Sequence, residues 1–190
     1  MALTFANKVT IGRILIVPFF IATILYYSPE RDYLRFLALG FFLLAVVSDV
    51  IDGYIARMRK QKTQAGAILD PLADKILLMS AFICLFKIGG TWFNFRFPLW
   101  FVVAVISRDT ILLLGSMIIY LVHGHLKIEP SLWGKITTFF QVFCVMGMLL
   151  QIQITSVLWY VTLLLTIISA FGYIREGIKI LNAPISKNYT

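Results

Sequence analysis

Six apolar runs divide this chain, and together they leave it one environment in which to fold. They cover about residues 9–27, 34–56, 70–88, 97–122, 136–151 and 154–174. A helix needs about 20 apolar residues to cross a hydrocarbon core ~30 Å thick. In lipid a helix is favoured because it satisfies every backbone donor and acceptor within its own segment. Of the 190 residues, 60% are hydrophobic and 14% charged, with a mean hydropathy of +0.89. Soluble domains average about 45–50% apolar and 25% charged residues. The sequence therefore reads as one all-α integral membrane domain over 1–190, a bundle of about six transmembrane helices. The fifth run is short, and only Gln151 and Gln153 separate it from the sixth.

Residues 1–8 read as a short N-terminal interfacial segment that sets Leu3 and Phe5 against lipid. Asn7, Lys8 and Arg13 interrupt the start, so no cleavable signal peptide is expected. Pro18 is placed to kink the first span, and Pro71 suits the first turn of the third. Trp92, Trp100, Trp133 and Trp159, near span ends, read as interfacial anchors. Cys84 and Cys144 lie mid-span without metal or redox spacing, as small buried hydrophobes.

Charge sets an orientation. Arg57, Arg59, Lys60 and Lys62 follow the second run, and Lys8, Arg13, Lys127, Lys135, Arg175, Lys179 and Lys187 fall on the same side. The opposite connections hold Arg31, Arg35, Lys87 and Arg96, the first two beside Glu30 and Asp32. The positive-inside rule puts both termini and the 57–65 connection in the cytoplasm, which for a bacterial chain means a multi-pass protein of the inner membrane. The net charge of +8 then reads as topology plus attraction to anionic headgroups. The cations are spread over several loops, so nucleic acid is not an expected partner.

Against this background, Asp49, Asp52, Asp70 and Asp74 stand at the adjoining ends of the second and third runs. Charges at membrane depth are costly and usually functional. Asp49 and Asp52 share one helix face, as do Asp70 and Asp74. The hydrophilic stretch 57–69 is long enough to fold the two pairs together. Four converging carboxylates repel unless cations neutralise them, and hard oxygen donors suit Mg²⁺, Mn²⁺ or Ca²⁺. Gly53 and Gly66, each costing a helix about 1 kcal/mol against alanine, let something bulky approach the backbone. With Arg57 beside them, they suit a pyrophosphate-bearing substrate. The alternative of another class is a small ion-coupled transporter, but its site is expected at mid-membrane rather than at one end.

Asp49-x-x-Asp52-Gly53-x-x-Ala56-Arg57, then eight residues and Gly66-x-x-x-Asp70-x-x-x-Asp74, resembles the signature of the CDP-alcohol phosphatidyltransferase family at every fixed position. The resemblance implies phospholipid synthesis: transfer of a phosphatidyl group from CDP-diacylglycerol to an alcohol, releasing CMP. It implies two divalent ions, Mg²⁺ or Mn²⁺, held by Asp49, Asp52 and Asp70 with Asp74 at their edge. Asp74 becomes the general base. Gly53, Ala56 and Gly66 admit the cytidine and ribose, Arg57 lies near the pyrophosphate, and the enzyme is a homodimer.

The opening Asn7-x-x-Thr10-x-x-Arg13 resembles the branch that makes phosphatidylglycerol phosphate and cardiolipin. Arg108-Asp109 and the segment from Pro130 through Lys135 to Gln141 are the other acceptor candidates. Arg108 and Asp109 also read as a self-satisfied intramembrane ion pair, and Lys135 as a snorkelling lysine. Glycerol 3-phosphate enzymes of the family usually carry cations where this chain has Ser116 and Thr137. On that ground the sequence leans slightly to phosphatidylglycerol as acceptor, a cardiolipin synthase, with glycerol 3-phosphate as the alternative.

Overall fold

The structure is a computed structural model that describes residues 5–59, 64–93, 96–123 and 132–181, with side chains for 11–51, 72–91, 93, 96–118 and 132–175. It contains six helices: α1 (Phe5–Leu25), α2 (Tyr33–Arg59), α3 (Gln64–Trp92), α4 (Leu99–His123), α5 (Leu132–Leu149) and α6 (Thr155–Leu181). A 3₁₀ turn, Pro29–Arg31, joins α1 to α2. The six apolar runs each became a helix, and no strand occurs among the described residues.

Helix ends differ from the apolar runs because a backbone keeps its helical hydrogen bonds after it leaves lipid. The span expected over 70–88 is a helix from Gln64 to Trp92, and α6 extends to Leu181. The connection expected over 57–69 is largely helical, leaving residues 60–63, which lie outside the described residues. Pro71 consequently sits past the first turn of α3 rather than within it. Phe5 to Lys8 are the first turn of α1 rather than a separate interfacial segment.

The core is built around α3, which packs against α1, α2, α4 and α5. Leu77, Leu78, Ala81, Phe82 and Leu85 are buried along it, a spacing of three to four that keeps one stripe inward. Ala38 and Ala45 on α2 bring backbones close, and Phe20 and Phe42 fill the space between, with ring centroids 5.9 Å apart. Small residues beside large ones suit lipid, where packing rather than water exclusion holds helices together. Leu15, Phe19, Leu44, Leu114 and Phe171 are exposed on the outer surface, as a lipid-facing surface requires.

Tyr33–Ile51, Leu99–Ile118, Leu132–Leu149 and Thr155–Arg175 are each long and apolar enough to cross a membrane. Charge is spread over the helices, with Asp49 on α2 and Arg108 and Asp109 on α4. The apolar run of α1 is Ile11–Leu25, and α3 bears Asp74, Lys75 and Lys87. Trp100 and Trp133 are exposed, as anchors should be, whereas Trp159 is buried against Phe97 at 5.8 Å. Position near a helix end does not reveal which face a residue occupies.

α5 ends in a Schellman closure: Ile152 N–H donates to Gly147 O and Gln151 N–H to Met148 O, with Gln151 at φ 55°. Arg35 Nη1 donates to Leu149 O at 3.1 Å, satisfying another terminal carbonyl. Arg35 is itself fixed by two 2.8 Å bonds to Asp32.

Candidate active site

At the opposite end of the bundle, the charges pair between helices. Arg13 on α1 is 2% exposed, and its Nη1 lies 2.6 Å from Asp49 Oδ1 on α2. A guanidinium inside a helical bundle needs such a partner. The Asp49 side chain remains 40% exposed, so its carboxylate has room for another ligand. Asp74 on α3, half-buried, interacts electrostatically with Asp49, Lys75, Arg13 and Asp109. The first aspartate of the motif is thus paired with the arginine of the opening motif, and the charge of the fourth is felt there.

A second layer lies deeper. Lys75 Nζ donates to Asp109 Oδ1 at 3.1 Å and to Thr138 Oγ1 at 3.4 Å, tying α3 to α4 and α5. Arg108 Nη1 donates to the same Asp109 oxygen at 2.6 Å, and Nη2 to Ser169 Oγ on α6 at 2.6 Å. Arg108 and Asp109 are 3% and 0% exposed. The ion pair that the sequence offered as one reading of these two residues is present, and Lys75 joins it. Lys75 and Ser169 were missed in the sequence, whereas Thr138 lies within the segment from Pro130 to Gln141 that it had singled out. The one available signal was a lysine directly after a motif aspartate inside an apolar segment.

Of the other candidates, Lys135 is exposed at the start of α5. Asn7 and Thr10 belong to α1, Asp52, Gly53, Ala56 and Arg57 to α2, and Gly66 and Asp70 to α3. The side-chain surroundings of all eight lie outside the described residues. Gln141 is fully buried, and its amide has no hydrogen-bond partner among the described residues. Thr137, also fully buried, places its hydroxyl 2.7 Å from Trp133 O and 3.1 Å from Leu165 O of α6.

The donor chemistry fits a hard divalent ion. Among the described residues no group of three or more His, Cys, Asp or Glu converges. Helix periodicity sets Asp52 and Asp70 about one turn from Asp49 and Asp74 on the same faces. The described charges Arg13, Asp49, Asp74, Lys75, Arg108 and Asp109 already balance.

Fold and site together define an all-helical membrane protein whose charged side chains pair between helices at one end of the bundle. The model of the CDP-alcohol phosphatidyltransferase family matches residues 3–168, and the chain belongs to that family, which generally depends on divalent metal. It is 32% identical over 183 residues to a CDP-diacylglycerol–glycerol-3-phosphate 3-phosphatidyltransferase of Aquifex aeolicus, covering 92% of this chain and 96% of the relative. A Haemophilus influenzae protein of the same name is 33% identical over 171 residues, 87% of this chain and 89% of its own. A cardiolipin synthase (CMP-forming) of Streptomyces coelicolor is 32% identical over 140 residues, 72% of this chain and 60% of its own. The chain is thus a phosphatidyltransferase of phospholipid biosynthesis, not a transporter.

Proposed function

We propose that this enzyme transfers the phosphatidyl group of CDP-diacylglycerol to glycerol 3-phosphate, releasing CMP. Phosphatidylglycerol, giving cardiolipin, is the second reading. The observation that carries the site is the Arg13–Asp49 ion pair, which joins the opening motif on α1 to the first aspartate of the signature.

The relatives favour glycerol 3-phosphate over the phosphatidylglycerol to which the sequence leaned. The packing weakens the ground for that lean. Thr137 fills the seam between α5 and α6, so a missing lysine there says little about a substrate pocket. Ser116 Oγ donates to Leu113 O within its own helix. Arg13, Arg108 and Lys135 remain as cations for the acceptor phosphate, with Asn7, Thr10 and Asp109 completing the acceptor set. Only Lys135 among those three cations is exposed.

Asp49, Asp52 and Asp70, with Asp74 at their edge, hold the divalent ions, which we assign as two Mg²⁺ or Mn²⁺. When bound, they neutralise the pyrophosphate and stabilise the departing CMP. Gly53, Ala56 and Gly66 leave room for the cytidine and ribose, and Arg57 meets the pyrophosphate. Asp74 takes the proton from the acceptor hydroxyl as its oxygen bonds to the phosphatidyl phosphorus and the bond to CMP breaks. The distribution of lysine and arginine supports a site and both termini facing the cytoplasm of a bacterial inner membrane. The family resemblance supports a homodimer.

The test is a purified-enzyme assay with labelled CDP-diacylglycerol and glycerol 3-phosphate, phosphatidylglycerol or inositol phosphate offered separately. Phosphatidylglycerol phosphate formation and stoichiometric CMP release are expected with the first. Cardiolipin as the main product would transfer the assignment to the second acceptor, and no CMP with any acceptor would reject the reading.

A further inference from the structure

We infer that Lys75 is a positioning residue for Asp74: bridging Asp109 of α4 and Thr138 of α5, it fixes the rotation of α3 so that the neighbouring carboxylate faces Arg13 and Asp49. This rests on the proposed role of Asp74 and adds a residue the signature does not contain. Successive helical residues are set about 100° apart around the axis. A side chain tied toward α4 and α5 at position 75 therefore directs position 74 to another side of α3. α3 also packs against α1 and α2, the helices that carry Arg13 and Asp49.

The anchor itself cannot shift freely. Asp109 Oδ1 receives both Lys75 and Arg108, and Arg108 is tied through Ser169 to α6. One ammonium thus refers the orientation of α3 to three other helices. α4 continues from Asp109 to His123, about 21 Å further at 1.5 Å per residue. The clamp is well inside the bundle, and Lys75 and Asp109 side chains are only 12% and 1% exposed. A carboxylate roughly 6 Å from its helix axis moves about 1 Å for a roll of about 10°. A misplacement of that size costs a reaction about a hundredfold.

The experiment compares Lys75→Met with the wild type and Asp74→Asn in the full chain in detergent, with CDP-diacylglycerol and the best acceptor. Lys75→Met is expected to lower kcat about a hundredfold while KM for CDP-diacylglycerol stays within about twofold. In the Asp74→Asn background the same substitution should change turnover by no more than about twofold, the limit for a residue acting through another. Lys75→Arg, which keeps the charge and the reach, should recover much of the loss. Full kcat in Lys75→Met, or an undiminished further loss on top of Asp74→Asn, overturns the inference. If Lys75→Met does not fold, Thr138→Val removes one anchor and should give a smaller kcat loss at unchanged KM; unchanged kcat there counts against the clamp. A wild-type enzyme inactive with every acceptor would instead reject the function, a distinguishable outcome.

Discussion

Each end of the bundle carries an arginine–aspartate pair, and the two do different work. Arg35 and Asp32 are three residues apart and joined by two 2.8 Å bonds; Arg35 also donates to the carbonyl of Leu149, and the Asp32 side chain is 45% exposed. Arg13 and Asp49 come from different helices, and the arginine is buried while the carboxylate stays 40% exposed. The first pair completes a helix end. The second ties the start of α1 to the signature aspartate of α2. What separates the two is that one joins neighbours in the chain and the other joins two helices, not the exposure of the carboxylate.

The largest effect that would break this contrast lies with the carboxylates. Asp49→Asn should abolish CMP release, as should excess EDTA, with recovery on adding Mg²⁺ or Mn²⁺. Asp32→Asn should leave turnover per folded molecule nearly unchanged. Comparable losses from the two aspartates, measured in the same labelled-substrate assay, would erase the distinction.

The arginines give a smaller and sharper difference. Arg35→Met removes charge-assisted bonds contributing roughly 1.5–3 kcal/mol each, and about 1 kcal/mol shifts a melting midpoint by roughly 2–4 °C in a chain of this size. Thermal unfolding in detergent should show that drop with kcat preserved. Arg13→Met should reverse the pattern, lowering kcat/KM by about tenfold or more, since one such contact is worth at least that factor. A variant of Arg13 that melts early but turns over normally would reduce this pair to a second structural clasp.

The smallest effect concerns pH. Hydrogen bonds from Arg35, foremost, hold the Asp32 carboxyl below its ordinary range. A lowered native value means the stabilisation is complete above the ordinary carboxylate range and is lost as pH falls through the native value. Melting curves from neutral pH to strongly acid pH should therefore converge for wild type and Asp32→Asn only at the acid end. A constant difference across that range would mean that Asp32 acts without its charge.

The contrast also shows what the sequence could disclose. Six helices were legible because lipid demands long apolar runs and nothing competes with that signal. The four motif aspartates were legible because charges are rare at such places. The pairing of Arg13 with Asp49 and of Lys75 with Asp109 was not, because it depends on which helices become neighbours and how each is rotated. Trp159 and Thr137 show the same limit. Both looked like surface or substrate positions and both turned inward, since a helical register has no outer face until its neighbours are known.

The uneven distribution of polarity among the helices bears on how the chain enters the bilayer. α2 is apolar over residues 36–47, whereas α3 carries Asp74, Lys75 and Lys87 and α4 carries Arg108 and Asp109. On the insertion scale, each charge at a helix centre costs about 2.5–3.5 kcal/mol. α3 and α4 are thus costly to insert separately and complementary to insert together. Leaving the translocon one helix at a time would strand Asp74 and Lys75 in hydrocarbon before Asp109 had been synthesised. Entry of α3 alongside α4 would let Lys75, Asp109 and Arg108 neutralise one another as they leave water.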